Sequence, residues 1–196
     1  MCEGLIAAAG KSQRTSPWYK MELDLGGKTL LEKCLESMMP FCSRVLVVGG
    51  HNIDILRARL AGYPSVEVIN NLQFEKGMFS SIQEGVRHIR AGRFFFLPGD
   101  YPCVSPDVYR QMLACHSDVV VPVYGKRSGH PVLINSSLIR ELLEGGYNSL
   151  RDFMAGRSAI RIDVDCPGIL LDVDTLEDYQ KALDLTLKRR SKGGIQ

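Results

Sequence analysis

Four short segments of the chain are apolar at every position: Leu5–Ala8, Val45–Val48, Phe94–Leu97 and Val119–Val121. A strand with one face in water alternates polar and apolar residues. Runs without that alternation belong to strands covered on both faces, as in a parallel sheet packed between helices. Helical spacing fills the intervals. Thr29-Leu30-Leu31-Glu32 is a capping-box pattern that opens a helix to about Met39. Ile53–Leu60 and Met78–Ile89 carry the same period, and Ser105-Pro106 starts a helix to His116, serine at N-cap and proline at the first helical position being preferred. Val66–Ile69, Val132–Ile134 and Ile160–Val164 read as further strands, with helical stretches near Leu138–Leu143 and Leu150–Met154. From Gly125 the pattern loosens, and this stretch is expected to form a lid-like rim over the sheet. Thr175-Leu176-Glu177-Asp178 resembles a second capping box, for a last helix to about Lys188. The expectation is one α/β domain over residues 1–188, three-layer α/β/α with a mostly parallel sheet, followed by a basic tail, 189–196, that frays.

With 196 residues, 45% of them hydrophobic, the chain can bury an ordinary single-domain core. Its 24 Lys+Arg against 22 Asp+Glu supply no general field for gripping nucleic acid or an anionic membrane, so neither is expected as a partner. Six scattered cysteines form no CxxC pair and no zinc-like spacing, and read as reduced thiols. No charged-then-apolar leader and no long apolar stretch is evident, which makes the cytoplasm the expected location.

Ligands of such sheets sit beyond the carboxyl ends of the strands, and three constellations fall there. The first is Gly4-Leu5-Ile6-Ala7-Ala8-Ala9-Gly10-Lys11-Ser12-Gln13-Arg14, with Lys20 six residues on. An apolar strand stops at a glycine and cations follow, so backbone N–H groups, lysine and arginine can surround a polyphosphate. The run lacks both GxxxxGK[ST] and GxGxxG, and a plain strand-to-helix turn with solvated cations has the same look. The second is Asp100 within Pro98-Gly99-Asp100-Tyr101-Pro102, a carboxylate in a stiff loop that can hold Mg²⁺ or can serve only as a Gly-Asp turn. The third is Asp172 and Asp174, which face opposite sides of an extended segment, so one alone can share a metal with Asp100. Asp174 has the alternative role of capping the last helix. Together they describe a nucleoside triphosphate over the strand ends, a metal on Asp100 and one later carboxylate, and attack at the α-phosphorus with loss of pyrophosphate. No Ser/His/Asp or Cys/His nucleophile set is evident, which favours direct transfer.

The same residues resemble the nucleotidyltransferases of the molybdenum cofactor family, from about Gly4 to Tyr179. L-A-A-G-x-S-x-R-M-G-x-x-K stands as Ala7-Ala8-Ala9-Gly10-Lys11-Ser12-Gln13-Arg14-Thr15-Ser16-Pro17-Trp18-Tyr19-Lys20. N-P-x-x-x-x-G-M-x-S-S stands as Asn71 to Ser81, G-D-M-P as Gly99-Asp100-Tyr101-Pro102, G-H-P as Gly129-His130-Pro131, and D-x-D-T-P-E-D as Asp172 to Asp178. The resemblance implies a GT-A-like fold and transfer of a nucleotidyl group to the terminal phosphate of molybdopterin. It implies Arg14, Lys20 and Asp100 as catalytic, and Ala8, Ala9, Gly10, Lys11, Ser12, Gly77 and Ser81 as nucleotide-binding. His130 would lie beside the acceptor, and Asp100 with Asp174 would hold Mg²⁺, with Mn²⁺ as a substitute. The Ala8-Ala9-Gly10 form is similar to the cytidylyl branch and favours CTP over GTP, and a molybdoenzyme is the implied recipient of the product.

The sequence departs from that pattern at Thr15-Ser16, which replace Met-Gly, and at Lys20, which stands one residue later. Leu72, Tyr101 and Leu176 replace a proline, a methionine and a proline. The altered loop keeps open a catalytically weak nucleotide or pterin binder that matures a molybdoenzyme; a second alternative, since related GT-A-like transferases share the glycine loop and the aspartate, is a transferase acting on a sugar phosphate or another alcohol phosphate. Met78 and Phe79 are candidates either for the pterin wall or for the core.

Overall fold

The computed structural model describes residues 1–10 and 19–193, with side chains as far as Lys188. Eight strands, β1 (Cys2–Ala7), β2 (Val45–Gly49), β3 (Val66–Asn70), β4 (Arg93–Pro98), β5 (Val119–Tyr124), β6 (Arg127–Ser128), β7 (Val132–Asn135) and β8 (Ile160–Asp163), form one sheet. Their order is β3-β2-β1-β4-β7-β5-β6, with β8 also paired to β5. β3, β2, β1 and β4 run parallel, β8 is parallel to β5, and β7 is antiparallel to both its neighbours. The mostly parallel sheet follows the expectation.

Alternate residues of the apolar runs go to opposite faces, as a strand's period of two requires. Ile6 and Ala8, with Phe95 and Leu97, join one core with α1 (Leu30–Met38), α2 (Ile53–Leu60), α4 (Pro106–Leu113) and α7 (Leu176–Gly193). Leu5 and Ala7, with Phe94 and Phe96, join the other with α3 (Met78–Val86), α5 (Ile139–Glu144) and α6 (Leu150–Met154). This is the three-layer α/β/α arrangement. Phe94, Phe95 and Phe96 are each at most 1% exposed, and burying a phenylalanine of that kind contributes roughly 1.5–3 kcal/mol. The β4 segment is therefore firmly seated, and the chain reaches Asp100 just beyond its end.

The capping signals are met. Thr29 accepts from the Glu32 N–H at 3.2 Å while Glu32 accepts from the Thr29 N–H at 2.7 Å. Thr175 and Asp178 make the same reciprocal pair at 3.2 and 3.0 Å, and Ser105 caps α4.

The stretch after Gly125 differs from the rim that its loose pattern suggested. Val132, Leu133 and Ile134 are at most 1% exposed, and burying so apolar a run draws β7 into the sheet between β4 and β5. The chain returns from β5 through Gly125 and Lys126, both at positive φ, the two-residue mirror-image turn whose twist suits a hairpin. Residues 127–130 and 148–151 still border the cleft at the strand ends. The backbone of α7 continues to Gly193, beyond the Lys188 stop and into the segment expected to fray.

Candidate active site

The carboxyl ends of β1 and β4 lie side by side, with Ala7 opposite Pro98. Just beyond, the Gly99 N–H donates to the Ala7 carbonyl at 2.8 Å. A Cβ on Gly99 would stand 3.0 Å from that oxygen and 3.1 Å from Met21 Sδ, so this close pass needs glycine. It carries Asp100 over the end of β1 to a short 3₁₀ turn, Lys20–Glu22. There Lys20 Nζ donates to Asp100 Oδ2 at 2.9 Å and to Asp174 Oδ1 at 2.7 Å. The longer loop thus still delivers its lysine to the strand ends. The Val173 N–H donates to the Asp100 carbonyl at 2.9 Å, holding the 171–174 segment against this loop. Because Thr175 caps α7 with Asp178, Asp174 is not the cap and is turned to Lys20 instead. Asp172 points the other way, into a cavity, as the alternation of an extended segment requires.

The side chains of Lys20, Asp100 and Asp174 are 11%, 17% and 35% exposed, so their charges are little screened. Burial pushes the Asp100 carboxyl above its usual range, with Lys20 opposing. Burial would lower the Lys20 ammonium, but Asp100 and Asp174 outweigh it and hold Lys20 above its usual value. The geometry of one nitrogen between two carboxylates favours the ionised set. Asp100 Oδ1 is buried and lacks a hydrogen-bond partner among the described residues, which is why burial prevails over the ion pair on that side. It is a carboxylate oxygen that a hard cation would suit. Among the described residues no group of three His, Cys, Asp or Glu gathers for a metal, so a cation held here would draw on two carboxylates, Asp100 and Asp174. That donor set fits Mg²⁺ or Mn²⁺, whose other positions go to phosphate oxygens and water.

Of the expected nucleotide loop, Lys11, Ser12 and Arg14 lie outside the described residues. Ala8 and Ala9 are buried, and Gly10 is exposed, with nothing among the described residues within 4 Å of where a Cβ would be. The Ala8 N–H donates to the Val48 carbonyl at 2.8 Å, and the Ala8 carbonyl accepts from the Tyr19 hydroxyl at 3.1 Å. Tyr19, which stands in the departing segment before Lys20, is a strut that no motif signals. Gly77 caps α3 at φ +94° on the cleft side. Ser81 does not reach the cleft surface: it is 2% exposed and accepts from Asn71 Nδ2 at 3.0 Å.

His130 lies between the rings of Tyr101 and Phe96, with centroids 4.8 and 5.8 Å away. Its N–H donates to the Ile169 carbonyl at 2.9 Å, and its Nδ1 is buried with no hydrogen-bond partner among the described residues. It borders a cavity of about 710 Å³ that also holds Met78, Phe79 and Asp172. Met78 is half exposed there, whereas Phe79 belongs to both the wall and the core. Burial lowers the His130 pKa to about 4 from 6.5, so the ring is neutral at pH 7. The unfolded chain therefore takes up a proton that the native state refuses. The stability this group contributes is complete above pH 6.5 and is lost as pH falls towards 4, amounting to about 3 kcal/mol. Chemical denaturation at pH 7 and pH 4 is expected to show wild-type protein losing about that much more than His130→Gln; equal losses would remove His130 as the acid-sensitive group.

A glycine turn, a lysine between two carboxylates and a neighbouring cavity thus meet at the strand ends. The family model described as the MobA-like NTP transferase domain matches residues 4–161. The chain belongs to that family. This NTP transferase is 25% identical to the molybdenum cofactor cytidylyltransferase of Escherichia coli K12, over 89% of its own length and 92% of that protein's. It is 26% identical to the nicotine blue oxidoreductase of Paenarthrobacter nicotinovorans, covering 92% and 95%. A solved nucleotidyl transferase from Methanothermobacter superposes with a TM-score of 0.83 at 23% identity, over 96% of this chain and 99% of that one, which shows the GT-A-like fold. Among the described residues no helix is long and apolar enough to cross a membrane.

Proposed function

We propose that this NTP transferase moves CMP from CTP to the terminal phosphate of a molybdopterin acceptor, releasing pyrophosphate in one direct, Mg²⁺-dependent step. The observation that carries the reading is Lys20 Nζ held between Asp100 and Asp174 beside the glycine turn. Full-length similarity to a cytidylyltransferase supports the acceptor class. A divalent cation on Asp100 and Asp174 would neutralise charge on the phosphate chain. Lys20 supplies a fixed positive charge to the same oxygens, and the backbone at Ala9-Gly10 positions them. The acceptor phosphate is already anionic, so its oxygen forms the new P–O bond without a general base while the bond to pyrophosphate breaks. Positioning and charge stabilisation of this kind supply most of the catalysis in phosphoryl-type transfer. The preference for CTP rests on the Ala8-Ala9-Gly10 form, where an extra methyl narrows the space for a base. After delivery the dinucleotide product would pass to a molybdoenzyme in the cytoplasm.

The test is pyrophosphate release with Mg²⁺ and each of CTP, GTP, ATP and UTP, with and without molybdopterin. Acceptor-dependent release with CTP is the expected result. Release with GTP alone would overturn the base assignment. Since a relative over the full length is named for a redox reaction, silence with every nucleotide from folded protein would overturn the transferase reading itself.

A further inference from the structure

The glycine turn follows β1, whereas the 710 Å³ cavity is floored by Phe96, Val121 and Val132 from β4, β5 and β7. Ala8, Ala9 and Gly10 are not part of its lining. The Asp100 loop, at the end of β4, stands between the two compartments. Displacement at a phosphorus is roughly in line, with the entering and leaving oxygens on opposite sides. A nucleotide on the β1 side leaves the β4-β7-β5 side open to its acceptor. A volume of this size suits a single small-molecule substrate.

The charged part of the lining is three cations against one carboxylate, Asp172, a balance that favours an acidic substrate. Lys76, Arg127 and Arg151 reach the cavity from three separate elements: the turn before α3, the short strand β6, and α6. Lys76 is held by Gln73, but among the described residues neither Arg127 nor Arg151 forms a salt bridge. Arg127 is also within electrostatic reach of the Tyr101 hydroxyl. Met78 and Tyr101 add a polarisable, flat-sided wall. The buried Nδ1 of His130 is a polar atom that no group among the described residues satisfies, and such an atom is costly unless a ligand pairs with it.

We propose that this cavity is the acceptor compartment, in which Arg127 and Arg151 select a flat heterocycle bearing an acidic group and His130 Nδ1 makes the one directional hydrogen bond to its ring. The inference rests on the transferase reading and assigns its specificity to two arginines outside the motifs. Each acts as a positioning residue at exposed sites whose replacement leaves the core untouched.

The probe is pterin-6-carboxylate, a fluorescent anionic heterocycle, compared with uncharged pterin, and binding needs neither metal nor turnover. Wild-type protein is expected to prefer the carboxylate by about tenfold or more, the scale of charge-assisted contacts. The double variant Arg127→Ala/Arg151→Ala is expected to erase that preference and leave CTP affinity, measured by calorimetry, unchanged. His130→Phe, which keeps the ring packing, should weaken both pterins about equally. In turnover the double variant should raise the acceptor KM about tenfold with kcat and the CTP KM held. A preference that survives the double change overturns the proposal, as does an equal loss of CTP affinity, which would give the arginines to the nucleotide. Failure of the transferase reading shows separately, as wild-type protein that binds the probe but releases no pyrophosphate.

Discussion

Asp100→Asn is expected to lower Mg²⁺-dependent pyrophosphate release by about 10²–10³-fold or more, the scale of losing a principal charge-stabilising group, while the protein still folds. Asparagine keeps the shape of the side chain and one oxygen, so the close pass of Gly99 over β1 is undisturbed. What goes is the negative charge that burial already disfavours, and with it the carboxylate oxygen Oδ1, which has no hydrogen-bond partner among the described residues and on this account would take the cation. Breaking a buried ion pair usually costs several kcal/mol because the remaining charge is stranded. Here Lys20 keeps Asp174 at 2.7 Å, so the loss of stability is expected to be small. Initial rates across a Mg²⁺ titration, with a thermal melt of each protein, separate the two effects. A variant as active as wild type would remove Asp100 from the site, and one that fails to fold would show the ion pair to be structural.

The second large effect is expected at Lys20. Lys20→Met retains the apolar stem but withdraws the ammonium from between two carboxylates, and the triphosphate loses a fixed counter-charge. We expect kcat/KM for CTP to fall by about 10²-fold. Lys20→Arg is expected to rescue little, because a planar guanidinium is wider than the point charge that fits this enclosed position. Full activity in the arginine variant would mean that any cation suffices and that the enclosure plays no part. Steady-state kinetics with CTP varied at saturating acceptor reads both.

The parts of the architecture that could be read from sequence were those with local causes. Continuously apolar runs announced strands buried on both faces, and the alternation of Phe94 and Phe96 with Phe95 and Leu97 between two cores confirms why. The Thr29–Glu32 and Thr175–Asp178 caps follow from side chains three residues apart. The place of β7 was not legible, because insertion between β4 and β5 depends on pairing with segments far along the chain. The Gly125-Lys126 turn between β5 and β6 also lacks the Asn-Gly or Asp-Gly signature of such hairpins. At the site, motif order identified Asp100 and Asp174, but their bridging by Lys20 depends on how an altered loop folds, and no spacing rule supplies that. Ser81 illustrates the reverse: a motif serine whose hydroxyl goes to Asn71 inside the wall. Arg127 and Arg151 carried no signal, since a lone exposed arginine looks like any solvated one until a cavity collects it.

The measurement that bears most directly on the central claim follows the α-phosphate of labelled CTP through a single turnover with molybdopterin and Mg²⁺. The account predicts label in the acceptor product, one for each pyrophosphate released, none on the protein, and none transferred by Asp100→Asn. Label retained covalently on the chain, or pyrophosphate formed without labelled product, would contradict direct transfer at this site.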